Sequence, residues 1–273
     1  MTKLRIRHNI NELKANGFSL VELSIVLVII GLLTGGILGG KSLMRAAELR
    51  SVTQEFKNYQ IAATLFQDEY QALPGDIDNA EAYWGEAHAT PATCSTTSST
   101  GTETCDGDDN GSITYWTGSV EYFRFWQHLS NAGLIEGHYT GVVDATNTFA
   151  PSVNIPHSKL GNTVGWNVYT DINNHSGHAN FFDTTTPPGH RLSIFSREGT
   201  NSRGAFSPKE AWNIDSKMDD GHPSTGKVLA PWSDNFSAAG TPCSEAADST
   251  ETEKGYNLSE EGKHCILWFV RAF

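Results

Sequence analysis

The chain has 273 residues, of which 38% are hydrophobic, and a formal net charge of −12. That is enough for one sizeable domain beyond an anchor. Residues 1–17 carry Lys3, Arg5, Arg7 and Lys14 against Glu12, so the remainder is more acidic still, at −15. A body that acidic argues against phosphate-backbone binding, and nucleic acid is not an expected partner. It suits a soluble, self-repelling exterior or one that takes up divalent cations.

In chain order, the basic leader of residues 1–17 ends at Gly17. Phe18-Ser19-Leu20-Val21-Glu22-Leu23 then opens an apolar run that reaches Leu38 with Glu22 as its single charge. A run of about 20 apolar residues spans a bilayer core as a helix. A carboxylate at such depth costs roughly 2.5–3.5 kcal/mol on insertion scales, so Glu22 reads as functional. A secretory signal peptide does not fit, because no small-x-small cleavage site follows the run. The Lys/Arg excess keeps the leader on the cytoplasmic side.

Gly17 followed by Phe18-Ser19-Leu20-Val21-Glu22-Leu23, behind a basic leader, resembles the processing motif of type IV pilins and type II secretion pseudopilins. The resemblance implies a prepilin peptidase that cuts between Gly17 and Phe18, followed by N-methylation of the new Phe18 amine. It also implies a single-pass protein of the inner membrane with its C-terminal body in the periplasm. Other pilin or pseudopilin subunits become its partners when it enters a filament, at the cell surface if that filament is a pilus. Glu22, one helical turn from Phe18, is then expected to engage the amine of a neighbouring subunit. A structural role without catalysis follows from the same resemblance.

Gly39-Gly40 echoes Gly35-Gly36, and the low helix propensity of glycine marks a soft point there. From Leu49 the apolar positions step through Val52, Phe56, Tyr59, Ala63, Phe66, Tyr70 and Leu73, a spacing of 3 and 4 that predicts an amphipathic helix. Pro74-Gly75 stops it. One helix is therefore expected from Phe18 to near Ala72, transmembrane over residues 18–40 and a domain spine over 41–72, with residues 73–273 as the globular body. Asp76–Gly85 predicts a turn and a short helix. Val120–Ala132, with Tyr122, Phe123, Trp126 and Leu129 at helical spacing, predicts another. Thr163–Tyr169, Arg191–Phe195, Lys227–Leu229 and Cys265–Phe269 have strand character. Gly, Pro and Asn break them up, which predicts an antiparallel sheet with long loops. Laid on the helix spine, that sheet gives the α+β, pilin-like arrangement that the resemblance implies.

Cys94, Cys105, Cys243 and Cys265 form an even set on the non-cytoplasmic side of the anchor, where disulfides persist. Pairing Cys94 with Cys105 and Cys243 with Cys265 closes the smaller rings, and the other pairings remain open. Asp106, Asp108 and Asn110, followed by Gly111, match the first half of a calcium loop. The same residues make an ordinary Asp/Asn/Gly turn equally well. Thr117 stands where the loop's bidentate glutamate belongs, and Glu121 is the available substitute. Gly221 to Lys227 fits G-x-x-x-x-G-K but lacks the following Ser/Thr and is rejected as a nucleotide site. His175 and His178 read as loop residues. The alternative function is a minor pilin that uses its stem to carry an adhesin-type ligand surface, with Trp84, Trp116, Trp166 and Trp232 as candidate contacts.

Overall fold

The computed structural model describes residues 17–88, 101–113, 121–143, 149–170, 189–198, 201–230, 243–245 and 255–273. It divides into two compact units, Met1–Ala46 and Ala47–Phe273. The first helix, α1, runs over Leu20–Tyr70, close to the bounds its apolar pattern predicts. In the first unit its large apolar side chains, among them Leu20, Val26, Ile30 and Leu33, are exposed. Gly35, Gly36, Gly39 and Gly40 are all helical, which corrects the expectation of a soft point. A glycine costs about 1 kcal/mol against alanine in a helix but keeps both backbone hydrogen-bonding groups, so the two pairs weaken the helix without opening it.

In the second unit α1 supplies the core with Val52, Ala62, Ala63 and Phe66, all essentially inaccessible. It ends where Gln71 turns left-handed at φ 56°, three residues before the proline expected to stop it. Gly75 follows at φ +88°, and a Cβ there would lie 2.4 Å from the Glu121 carbonyl oxygen and 2.9 Å from the Phe125 nitrogen. The turn after the spine therefore rests directly on the backbone of a later helix, and only glycine allows that approach. Beyond it come α2, Ala80–Trp84, and that later helix, α3, Glu121–Asn131.

Among the described residues six antiparallel strands follow: β1, His157–Ser158; β2, Gly161–Thr170; β3, His190–Glu198; β4, Asn201–Arg203; β5, Val228–Leu229; and β6, Leu267–Phe269. The sheet order is β1-β2-β3-β6-β5, with β4 also paired to β3. Strand alternation puts Trp166, Val168, Leu192, Ile194 and Phe269 on one face. That face receives the spine: Phe56 stacks on Phe269 with ring centroids 4.5 Å apart, and Tyr59 meets Trp166 edge-on at 5.6 Å. Trp126 of α3 meets Tyr59 at 5.0 Å, so spine, α3 and sheet share one aromatic core. The α+β architecture holds as expected.

One helix was not anticipated. α4, Pro208–Met218, starts at Ser207, whose side chain accepts from the Glu210 backbone while the Glu210 carboxylate accepts from the Ser207 backbone, with proline in the first turn. Ser-Pro-Lys-Glu is a capping-box sequence, and it carried that signal.

Cys243 and Cys265 form a disulfide with Cα atoms 5.1 Å apart. Cys265 is buried and its backbone pairs with Phe206, just ahead of α4. Replacing both cysteines by serine is expected to lower unfolding free energy by about 2–5 kcal/mol. Denaturant melts of the full chain in detergent check this, and an unchanged midpoint would show the bridge to be dispensable. Of the other expected bridge, Cys105 is disulfide-bonded, while Cys94 lies outside the described residues.

Candidate functional site

The N-terminal site is built by the first turn of α1. Phe18 precedes the helix and is 84% exposed. The Ser19 backbone N–H donates to Glu22 Oε2 at 2.9 Å, and the Val21 N–H donates to Ser19 Oγ at 3.2 Å. The Ser19 hydroxyl and the Glu22 carboxylate thus each accept a backbone N–H at the start of the helix. The expected start of the helix at Phe18 moves to Leu20 accordingly. The helix begins at Leu20, because the Ser19 and Glu22 side chains satisfy donors that a longer helix would leave unpaired. This puts the only carboxylate of the apolar run next to the junction where a new amine would be created.

The second cluster joins the turn after α1, the 101–113 segment and α3. Gly107 N–H donates to the Ile77 carbonyl at 2.7 Å, and Asp109 N–H to the Asp76 carbonyl at 2.8 Å. The Asp76 carboxylate accepts from Asn110 N–H at 3.1 Å and Gly111 N–H at 2.9 Å. Asp76, Asp108 and Glu121 each offer a carboxylate oxygen, all within 4.8 Å of one another. An all-oxygen set of this kind is the donor chemistry of a hard divalent cation such as Ca²⁺. Burial pushes the Asp76 carboxyl up to about 6; its two backbone hydrogen bonds hold it down and Asp108 raises it further.

Of the two carboxylates among the three residues the sequence singled out, Asp108 joins that group and Asp106 does not. Asp106 Oδ1 instead accepts the Glu81 N–H in the first turn of α2 at 2.9 Å. Asn110 Oδ1 accepts the Ser112 N–H at 2.8 Å, an ordinary local turn. Glu121, named as a substitute ligand, does arrive. Asp76 was missed because no spacing relates it to the loop; only the backbone contacts at Ile77 and Asp76 bring it there.

A third group sits at the C-terminal end of α4. Asp215 is fully buried, accepting the Tyr256 hydroxyl at 2.8 Å and the Gly221 N–H at 3.2 Å. Asp219 and Asp220 offer carboxylate oxygens within 4.8 Å of it. Asp219 accepts the N–H groups of Lys227 and Val228, and Asp220 accepts those of His222 and the Thr225 hydroxyl. Burial pushes the Asp215 carboxyl up to about 7, against the pull of its two hydrogen bonds, with Asp220 and Asp219 adding to the rise. A folded-state value above the unfolded one favours the fold most below the unfolded pKa, and that gain is lost as pH rises through about 7. The wild-type melting temperature is therefore expected to fall as pH rises from 3.8 to about 7, and Asp215→Asn to flatten that slope. Equal slopes in thermal melts of the two chains would remove Asp215 as the cause.

His128, fully buried, is held neutral. Its Nδ1 accepts the Gly75 N–H at 2.9 Å, which leaves Nε2 to donate to Thr104 Oγ1 at 2.8 Å. The Thr104 hydroxyl passes on to Gln127 Oε1 at 2.8 Å, where the Arg124 guanidinium also donates, at 2.6 Å. Burial first, and Arg124 second, push the imidazole down to about 3. This chain of bonds fastens the turn after α1 to α3; it faces no solvent and serves structure.

Among the tryptophans considered as a ligand surface, Trp166 is buried and donates from Nε1 to Glu55 Oε2 at 2.8 Å. That removes it from any external face. Trp84 is half-buried. Trp116, Trp232, His175 and His178 lie outside the described residues.

Residues 13–38 match the protein-family model described as the prokaryotic N-terminal methylation motif. The match covers the Gly17-Phe18 junction, Glu22 and the apolar run. No curated protein and no solved structure matches the chain.

Proposed function

We propose that the chain is a prepilin-like structural subunit. It is cut after Gly17 by a prepilin peptidase, methylated at Phe18, and assembled through its apolar helix into a type II secretion pseudopilus or a type IV pilus. One observation carries the reading: the methylation motif of residues 13–38 leads into a helix whose apolar side chains find no protein cover. A surface of that kind needs lipid first and neighbouring helices afterwards, which is the sequence of environments a filament subunit meets. The same reading places the protein in the inner membrane, with its acidic body on the periplasmic side until assembly. It assigns no reaction to the chain. The test is the form recovered from sheared or pelleted filaments. A chain beginning at methylated Phe18 in the filament fraction is expected, and a chain found only in membranes, still beginning at Met1, would overturn the proposal.

Calcium is an expectation with its own measurement. Ca²⁺ at the millimolar level typical of extracellular sites is expected to raise the melting temperature of the full chain, because a ligand that binds only the native state stabilises it. Asp108→Ala is expected to abolish the rise. No Ca²⁺-dependent shift would leave the 101–113 segment as a turn held by Asp76.

A further inference from the structure

Between Lys57 and Arg124 the sequence holds eleven Asp and Glu residues and no Lys or Arg. The fold gathers much of this stretch in one place. Glu86 bridges Thr104, and Asp106 caps α2 through the Glu81 N–H. The end of α1, α2 and the 101–113 segment therefore form one lobe in which no element carries a cation of its own. On that lobe an aromatic series runs from the core to the surface. Phe66, fully buried, stacks on Tyr70 at 4.4 Å; Trp84 lies 5.4 Å from Tyr70; and Tyr83 meets Tyr70 edge-on at 5.0 Å and Trp84 at 5.7 Å. Tyr70 and Trp84 are half-buried, and Tyr83, at the outer end, is 55% exposed.

The carboxylates around these rings crowd one another. Burial, then Asp106 and Glu86, raise the Glu81 carboxyl, and burial, then Glu69, raise the Tyr70 phenol. The cation acting on Glu81 is Arg124, itself buried and already donating to Gln127 and Cys105. Partly exposed rings beside carboxylates match a particular chemistry. A guanidinium or ammonium group lies over the ring quadrupole while pairing with the carboxylates beside it. A metal ion alone would have no use for the rings, and a nucleic acid would be repelled.

We propose that the surface formed by Tyr70, Tyr83 and Trp84, rimmed by Glu69, Glu81 and Glu86, is a docking site for an arginine- and lysine-rich segment of a partner protein. This goes beyond the filament role and does not depend on it. Guanidinium is favoured over ammonium, because it stacks and pairs at once.

The experiment uses the full chain in detergent with a fluorescent oligo-arginine peptide as the probe, and oligo-lysine and oligo-glutamine as comparisons. The arginine peptide is expected to bind most tightly and the glutamine peptide not at all. Tyr83→Ala, which changes no charge at an exposed position, is expected to weaken binding about two- to fivefold, the loss of one partly exposed cation–π contact. Glu81→Gln is expected to weaken binding and flatten its salt dependence. Glu261→Gln, an equal charge change on an exposed residue elsewhere in the chain, is expected to leave it unchanged. Equal affinity of Tyr83→Ala and wild type, or an equal loss in Glu261→Gln, would reduce the effect to net charge and overturn the proposal. So would binding of uncharged oligosaccharides in place of the arginine peptide.

Discussion

Gly17→Arg is expected to leave the chain uncut, beginning at Met1, inserted in the membrane and absent from filaments. The reason is local. A peptidase that cuts between Gly17 and Phe18 must take the Gly17 backbone into its active site, and a long cationic side chain adds bulk and charge at the bond to be broken. The fold itself makes no such demand. A Cβ at Gly17 would meet nothing within 4 Å, so the fold itself leaves room for a side chain to begin there. Gly17→Ala supplies the control: one methyl is expected to permit cutting where arginine forbids it. Intact mass and N-terminal sequencing of the two membrane-extracted variants decide the matter. Normal maturation of Gly17→Arg would detach the motif from processing and sink the filament reading with it.

The second large effect is expected at Glu22. Glu22→Ala is predicted to be cut and inserted as wild type but to fail to enter filaments. Cutting frees a cationic amine at Phe18, and methylation keeps the charge. A carboxylate and an amine within an apolar bundle are costly chiefly when either is left without the other. The bond from the Ser19 N–H to the Glu22 carboxylate supplies a rival cause, since alanine also removes a helix cap worth about 1 kcal/mol. Glutamine separates the two. Glu22→Gln keeps an oxygen for the Ser19 N–H but no charge for a neighbour's amine, and is expected to fail as alanine does. Glu22→Asp keeps the charge with a shorter reach and is expected to assemble in part. The measurement is filament yield beside a cleavage blot. Rescue by glutamine would assign Glu22 to the cap, and wild-type yield from Glu22→Ala would remove it from assembly altogether.

What could be read ahead of the structure was whatever repeats along the chain. The stripe from Leu49 to Tyr70 located the spine, and the runs around Trp166 and Ile194 located the two long strands, because one buried face imposes a period on the sequence. α4 announced itself only at its cap, Ser207-Pro208-Lys209-Glu210. β1 and β4, with 2 and 3 residues, are too short to carry a period. The clusters were harder still. Asp76 meets Asp108, and Asp215 meets Tyr256, through turns and loop contacts that leave no spacing in the sequence. Asp106, one of the three expected ligands, accepts a backbone donor at the start of α2 instead. A motif fixes which residue types are present; competing hydrogen bonds decide which of them remain for a ligand.

The place of β6 in the sheet sets the timing of folding. Leu267–Phe269 lies between β3 and β5, pairing with Ile194 to Leu192 on one side and with Val228 and Leu229 on the other. Every strand numbered before it is synthesised while the link between β3 and β5 is still missing. Phe56 has no Phe269 to stack on during that interval, and β5 has no neighbour to pair with. Contacts spanning such long stretches of chain form slowly and late. The pairing of β5 and the stacking of Phe56 are therefore completed only once residues 265–269 have been made. The Cys243–Cys265 disulfide, which an external two-electron oxidant must form, likewise waits for that stretch.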